Sequence, residues 1–451
     1  MYLKDIINTN KNIKFNKLVF NSKEVNKNDI FILYNSNNKK YIKEALDRKC
    51  KLVLTTIDYK DKKVLKINLN DLKNILDKYY NFPLNSLNLI GVTGTDGKTS
   101  VTSIISDMLK CPSIGTNGFK YLGKYYSLNN TTPSLDILYL CFNKVRDNNN
   151  IVMEVSSEAY LTNRIPNLKF DIGILTDITR DHLDKHKDLN NYIECKLNLF
   201  RNSKISILNR DSKYYKLFYD NSNKVYSYGF NKESNFRIIK YKLFIDKSII
   251  WFKYLNRYYK VEYPLVGLFN VYNIASSILT ISLIYDIKTS IKLCKNIKPV
   301  LGRMNIVYNK DYKIIIDYAH TEKSTLEILK FYQRFSKNII TIVGCAGGRY
   351  KEKRKIIGDI VLKYSKLVIF TMDDPRYENV NSIILDMINP KYNNYIVEIN
   401  RKKAIEKGIS LCKKKYILLI LGKGSDNYMM INNSKEYYSD YDTVFEIINK
   451  I

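Results

Sequence analysis

No stretch of this 451-residue sequence stays apolar for the roughly 20 residues that a membrane-spanning helix needs. Its first residues, MYLKDIINTNKNIKF, hold neither the apolar core nor the small-residue cleavage site of a secretory leader, so a cytoplasmic protein is expected. The seven cysteines stand singly, with no C-x-x-C pair. That argues against a disulfide framework and a zinc ribbon, and predicts reduced, mostly buried thiols. Internal repeats are absent. Acidic residues are few beside basic ones, 44 Asp+Glu against 74 Lys+Arg, leaving a formal charge of +30.

Such an excess invites a nucleic-acid partner. The basic residues are mostly lysine, however, and they are spread along the whole chain among Asn, Tyr and Ile. Even YKLFIDKSIIWFKYLNRYYKVEYPL, where aromatics interleave with lysine, alternates as a half-buried strand does. Nucleic acid is therefore not expected as the primary partner. Attraction to acidic, phosphorylated small molecules is the milder inference.

With 45% hydrophobic and 26% charged residues, the composition is that of a globular protein of two or three domains. Short β-branched runs (NLIGVTG, NIVMEVSS, DIGILTD, KIIIDYAH, NIITIVG, KLVIFT, YILLILGKG) alternate with helical patterns. Continuous apolar strands, each followed by a turn and a helix, predict parallel α/β sheets, which bind ligands beyond the carboxyl ends of their strands. Breaks at NFPLNSLN and KNIKPVLGRMN predict domains near 1–86, 87–299 and 300–451.

The segment GVTGTDGKTS, residues 91–100, ends as a phosphate-binding loop does. Its spacing departs from G-x-x-x-x-G-K-[ST], which requires glycine at Val92. A strand precedes it and a helical pattern follows, so its amides could turn around a phosphate at a helix N-terminus. Lys98 would reach the terminal phosphates and Thr99 would ligate Mg²⁺. Glu154, closing the next strand, offers a carboxylate for that ion. His182 and His186 are spaced to chelate zinc on a helix, but Asp181 and Asp184 surround them and the glutamate of H-E-x-x-H is missing, so zinc is the minority reading and a solvated polar turn the alternative. Lys196 sits in an apolar helical context, where a snorkelling surface lysine is the alternative.

Taken in order, these segments resemble the Mur ligase family, and within it the MurE type. Its G-x-T-G-T-x-G-K-T loop matches Gly91, Thr93, Gly94, Thr95, Gly97, Lys98 and Thr99. Further matches are NSKEVNKNDIFI, NNTTPSLD, EVSSEA, TRDHLDKH, YIECKLNLF, GLFNVYNIASSI, LGRMN, IIDYAHT, GCAGGRYKEKR, DDPRYEN and LGKGSDNY. The resemblance implies an α/β fold of three domains: one for the uridine nucleotide, a central P-loop ATPase-like parallel sheet, and a C-terminal Rossmann-like domain for the amino acid. It implies an ATP-dependent ligase that activates a carboxylate as an acyl phosphate and adds an amino acid to it.

Roles follow by the same resemblance. Thr93, Gly94, Thr95, Asp96, Gly97, Lys98, Thr99, Asn273, Arg303 and Asp317 would bind ATP. Thr99, Glu154, His182 and a carbamylated Lys196 would hold two Mg²⁺ ions. Lys98, Glu154, His182 and Lys196 would form the catalytic set. Ser22, Asn130, Thr131, Thr132, Ser156 and Arg164 would hold UDP-N-acetylmuramoyl-L-alanyl-D-glutamate. Arg349, Asp373, Asp374, Pro375, Arg376, Gly422 and Asp426 would receive the acceptor, with Arg376 gripping the distal carboxylate of meso-diaminopimelate. Asp374 stands where the family has asparagine, Asp426 where it has glutamate, and Glu158 where it has histidine. L-Lysine as acceptor, or an activity like that of folylpolyglutamate synthase, is the alternative. A monomer acting on small molecules is expected.

Overall fold

The computed structural model describes residues 1–178, 188–432 and 434–450. The chain divides into two compact units, Met1–Phe236 with Ser276–Ile287, and Arg237–Ala275 with Lys288–Ile451.

The first unit holds two sheets. The smaller joins strands Leu18–Val19, Ile30–Leu33, Leu52–Thr55 and Val64–Lys66 in chain order, all parallel. Its middle strands are apolar on both faces. Ile30, Ile32, Leu52 and Leu54 enter one core, whereas Phe31, Leu33 and Val53 enter another. That double burial is why these runs do not alternate with polar residues.

In the larger sheet, strands Lys224–Gly229, Ser203–Asn209, Phe170–Leu175, Asn88–Thr93, Asn150–Glu154 and Ser113–Gly115 lie parallel, in that spatial order. Gly118–Tyr121 and Lys124–Tyr126 extend it antiparallel. The register sets Leu175 beside Thr93 and Val92 beside Glu154, so three strands end together. Gly91 has no room for a side chain: a Cβ there would meet Phe170 at 2.7 Å and Leu199 at 2.8 Å. Its absence lets helix Leu189–Arg201 lie close over the sheet.

The second unit holds an antiparallel pair, Ser248–Tyr254 with Arg257–Tyr263, beside strand Phe236–Leu243. Alternation there is as expected: Ile250, Phe252 and Tyr254 are buried while Trp251 and Lys253 are partly exposed. A six-stranded sheet follows in the order Asn305–Asn309, Lys313–Asp317, Ile417–Leu421, Ile339–Val343, Leu367–Phe370, Tyr395–Val397. Only its first pair is antiparallel. Hairpin Tyr428–Ile431 with Ser434–Tyr437 stands apart from that sheet.

Beneath the end of Ile417–Leu421, Arg401 and Asp440 form a buried bidentate pair, with Nε and Nη2 each donating at 2.8 Å. Arg401 also donates to the carbonyl of Leu421 at 2.9 Å, which fixes the chain as it enters Gly422. Removing one partner strands a charge in the interior. Asp440→Ala is expected to lower the unfolding free energy of this unit by about 3–5 kcal/mol in urea titration, while Arg401→Met with Asp440→Leu recovers most of the loss.

Candidate functional site

In the first unit the candidate site grows from the loop between strand Asn88–Thr93 and helix Lys98–Leu109. Gly97 caps that helix at φ +86, a backbone conformation costly for residues with a Cβ. At Gly94 a Cβ would lie 1.9 Å from the Thr176 hydroxyl, so the loop passes directly over strand Phe170–Leu175. The Thr176 hydroxyl donates to the carbonyls of Thr93 and Asp96, at 3.2 and 2.5 Å, and holds the loop in place. A helix opening on such a loop leaves its first amides without partners in the helix, the arrangement that binds phosphate. Lys98 Nζ donates to the carbonyls of Gly94 and Thr95, at 3.0 and 2.7 Å, and so lies over the same loop. Asp96 is exposed.

Thr99 and Glu154 meet here, as their sequence positions suggest. The Thr99 hydroxyl donates to Glu154 Oε2 at 3.1 Å. Glu154 is 1% exposed, and the amide of Thr116 donates to its Oε1 at 2.8 Å. The Thr116 hydroxyl also reaches Oε2, at 3.2 Å, and the Thr131 hydroxyl at the same distance. Hydroxyl and carboxylate oxygens are hard donors of the kind Mg²⁺ takes, so this pair fits such an ion.

Lys196 is 2% exposed, which rules out a snorkelling surface lysine. Its Nζ donates to the Gly94 carbonyl at 2.7 Å and lies 4.4 Å from the centroid of the Tyr192 ring. The hydroxyls of Tyr192 and Thr95 share a hydrogen bond of 3.0 Å, so the helix carrying Lys196 is tied to the phosphate loop twice. His182, Asp181, Asp184 and His186 lie outside the described residues.

The residues expected at the muramoyl substrate gather beside Glu154. Thr132 is buried; its hydroxyl donates to the Glu154 carbonyl at 2.9 Å and accepts from the Ser156 amide at 2.9 Å. Arg164 donates to the Thr132 carbonyl at 2.6 Å and stands 3.8 Å from Glu158. Burial lowers the pKa of this guanidinium, Glu158 opposing the shift. Asn130 is exposed beside half-buried Thr131. Ser22 is apart from this cluster, its hydroxyl donating to Glu44 at 2.6 Å. Two participants escaped sequence reasoning. Thr116 shares the Glu154 carboxylate, and Tyr34 accepts from the Leu135 amide at 3.0 Å, tying the small sheet to the segment after Pro133. Neither stands in a motif.

The second unit carries the other expected residues. Asn273 donates to Asn270 at 3.0 Å. Both carboxylate oxygens of Asp317 accept backbone amides at 2.6 Å, from Met304 and Ala319, and the Arg303 guanidinium lies 4.6 Å from the Tyr318 ring centroid. Further along, Asp374 and Arg376 adopt φ +43 and +56 around Pro375, strain that persists only where neighbours impose it. Those neighbours are visible. Asp374 Oδ1 accepts from Met430 N at 3.0 Å and from Lys423 Nζ at 2.8 Å, and Arg376 N donates to the Met430 carbonyl at 2.9 Å.

Lys423 is almost wholly buried, and Asp426 stands 3.9 Å from it. Buried Asp373 presses against Gly422, where a Cβ would lie 2.1 Å from its Oδ2. Burial raises the Asp373 pKa, with Arg401 and Lys423 opposing. Asp426 is pushed up to about 6 by burial, with Lys423 again opposing. Arg349 is partly exposed beyond Gly348, whose amide donates to Glu378 at 2.5 Å. Glu378 is held down to about 2, chiefly by its hydrogen bonds from Arg354. The side chain of Arg376 runs past Gly348.

Comparison with known proteins identifies the family. The profile of the Mur ligase middle domain matches residues 92–281, and that of the Mur ligase glutamate ligase domain matches 302–424. A UDP-N-acetylmuramoyl-L-alanyl-D-glutamate–2,6-diaminopimelate ligase of Clostridioides difficile is 34% identical, over 99% of this chain and 98% of its own. A relative of the same name from Aquifex aeolicus is 31% identical over 96% and 93%. Among solved structures, a ligase of that name superposes with a TM-score of 0.73 at 22% identity, covering 100% and 99% of the two chains. A MurF ligase of Thermotoga maritima in complex with ADP gives 0.65 at 18%, covering 98% of each. The fold is the three-domain α/β architecture of these enzymes, and the chain belongs to the Mur ligase family.

Proposed function

We propose that this protein joins meso-diaminopimelate to the D-glutamyl carboxylate of UDP-N-acetylmuramoyl-L-alanyl-D-glutamate, using ATP, in cytoplasmic synthesis of peptidoglycan precursors. The observation that carries this reading is the junction of Thr99 and Glu154 beneath the phosphate loop, in a chain 34% identical to a ligase of that name over nearly its whole length. We assign residues 1–86 to the uridine nucleotide, 87–299 to ATP and 300–451 to the amino acid.

A carboxylate is a poor electrophile and repels the γ-phosphate. The amides after Gly97 and the Lys98 ammonium would offset phosphate charge, and Thr99 with Glu154 would hold Mg²⁺, which further neutralises the transferring group. The substrate carboxylate would then displace ADP from the γ-phosphorus, giving an acyl phosphate. The acceptor amine would attack its carbonyl carbon, and phosphate would leave the tetrahedral intermediate as the amine loses a proton. His182 and Lys196 would hold a second ion. For Lys196 this requires a carbamate, since an ammonium repels Mg²⁺; the carbamate N–H could still donate to the Gly94 carbonyl, so the burial of Lys196 suits the modification. Asn273, Arg303 and Asp317 would contact ATP. Ser22, Asn130, Thr131, Thr132, Ser156 and Arg164 would hold the muramoyl dipeptide.

In the acceptor site, Arg376 would present its fork to the distal carboxylate of diaminopimelate. Lys423 takes up the charge of Asp374, so the exchange of amide for acid there need not repel that carboxylate. Asp426 would face the acceptor ammonium, with Arg349, Asp373, Pro375 and Gly422 shaping the site.

The direct test supplies ATP, Mg²⁺, bicarbonate and the muramoyl dipeptide with diaminopimelate, L-lysine or neither, and reads phosphate release with product mass. Product with diaminopimelate alone is expected. Product with lysine would overturn the acceptor reading, and no product with either would overturn the function.

Four further outcomes are expected. Glu154→Gln lowers kcat by on the order of 10²–10³-fold, because a charged metal ligand becomes neutral. Lys196→Ala is comparably slow, and a short-chain carboxylic acid restores part of the rate if a carbamate is what the site needs. Arg376→Lys raises KM for diaminopimelate about 10–100-fold with little change in kcat, since the lost contact is one of binding. Finally, Asp426 is charged above a pH of about 6 and neutral below it, so KM for the acceptor rises as pH falls through that value. Asp426→Asn flattens that profile.

A further inference from the structure

The sheet around Trp251 has no part in the reaction above. Across residues 237–263 the chain carries seven Lys or Arg against Asp246 and Glu262. Trp251, the sole tryptophan, pairs in register with Lys260. The Nζ atoms of Lys240 and Lys260 lie 4.8 and 5.6 Å from its ring centroid. Lys253 pairs with Tyr258 on the same face, its Nζ 6.0 Å from that ring.

The tip of the hairpin is stranger. Tyr254 and Arg257 close a two-residue turn in which Leu255 and Asn256 have φ +46 and +59. Such a turn favours Asn-Gly, because both positions need positive φ. Leucine there is strained, and it is also 76% exposed, with Tyr258 at 73%. Strain and apolar exposure coincide at one residue, three-quarters of whose surface the described residues leave uncovered.

We propose that this hairpin docks on an anionic lipid bilayer, with Leu255 and Tyr258 entering the interface while Lys240, Lys253 and Lys260 meet lipid phosphates. A rigid apolar tip behind which lysines and aromatics lie fits the boundary between acyl chains and headgroups. Single-stranded nucleic acid fits less well: bases stack on open aromatic faces, and the Trp251 ring is already covered by two ammonium groups. No helix among the described residues is long and apolar enough to cross a membrane, so the contact is one of surface association.

The test uses the intact chain with vesicles of phosphatidylcholine alone or with one quarter phosphatidylglycerol, read by co-sedimentation and by quenching of Trp251 with brominated acyl chains. Binding only to the anionic vesicles, weakened by salt, is expected. Leu255→Asn suits the turn better, so it keeps or raises the Tm while weakening vesicle binding about tenfold. Lys253→Glu with Lys260→Glu weakens it further, about fivefold or more for each lysine. Ligation in vesicle-free solution is unchanged in all of them. No binding to anionic vesicles would overturn the proposal, as would binding that both sets of variants leave intact. Tighter binding of a single-stranded oligonucleotide, indifferent to Leu255→Asn, would also overturn it.

Discussion

A carboxylate taken out of water must be given donors or it destabilises the fold, and Glu154 sits under that constraint at the end of strand Asn150–Glu154. Its donors come from separate parts of the chain. Thr99 opens the helix after the phosphate loop, and Thr116 follows the neighbouring strand Ser113–Gly115. The carbonyl of the same residue binds Thr132, which in turn receives Ser156. One buried acid therefore draws the nucleotide loop and the expected muramoyl residues into a single network. The same atoms that satisfy Glu154 are those that would share a cation with it. Structural need and the proposed metal binding thus fall on one set of oxygens.

The second unit meets the same problem with the charges reversed. Lys423 is buried, and three carboxylates surround it: Asp373, Asp374 and Asp426. Asp374 makes the shortest contact to it and also receives a backbone amide, so its charge is the one best met. Arg401 is largely committed to Asp440, leaving Asp373 and Asp426 to share what remains. Both are shifted upward as a result of burial. Left-handed backbone at Asp374 and Arg376 is held by the strand Tyr428–Ile431, so the fold itself fixes this loop.

The parts legible in sequence are those whose physics is local. A phosphate loop needs glycines, a lysine and a hydroxyl within ten residues, and the segment from Gly91 to Ser100 displays all of them. Parallel strands buried on both faces write themselves as apolar runs, and both large sheets were readable for that reason. Partners across long separations were not. Nothing near Thr116 marks it as a ligand of Glu154, 38 residues on. Lys196 could have reached solvent on sequence grounds alone. Its burial follows from the bare backbone at Gly91, which admits Leu199 from the same helix. Tyr34 is likewise a tertiary choice, made by a hydrogen bond across 101 residues.

The exchange of asparagine for Asp374 shows how far such partners alter a local reading. By itself, a new negative charge beside an arginine proposed to grip a carboxylate looks unfavourable. Yet the position demands a residue that tolerates left-handed φ and accepts a backbone amide, and aspartate, like asparagine, does both. What it adds is charge, and that charge falls 2.8 Å from a buried ammonium that would otherwise be desolvated with weaker compensation. The substitution therefore strengthens the contact that fixes the loop. Arg376 keeps its place, its amide bonded to the Met430 carbonyl. The net charge of a site is set by which groups pair within it, and in this chain Asp374 is paired with Lys423 rather than left as a lone negative charge beside Arg376.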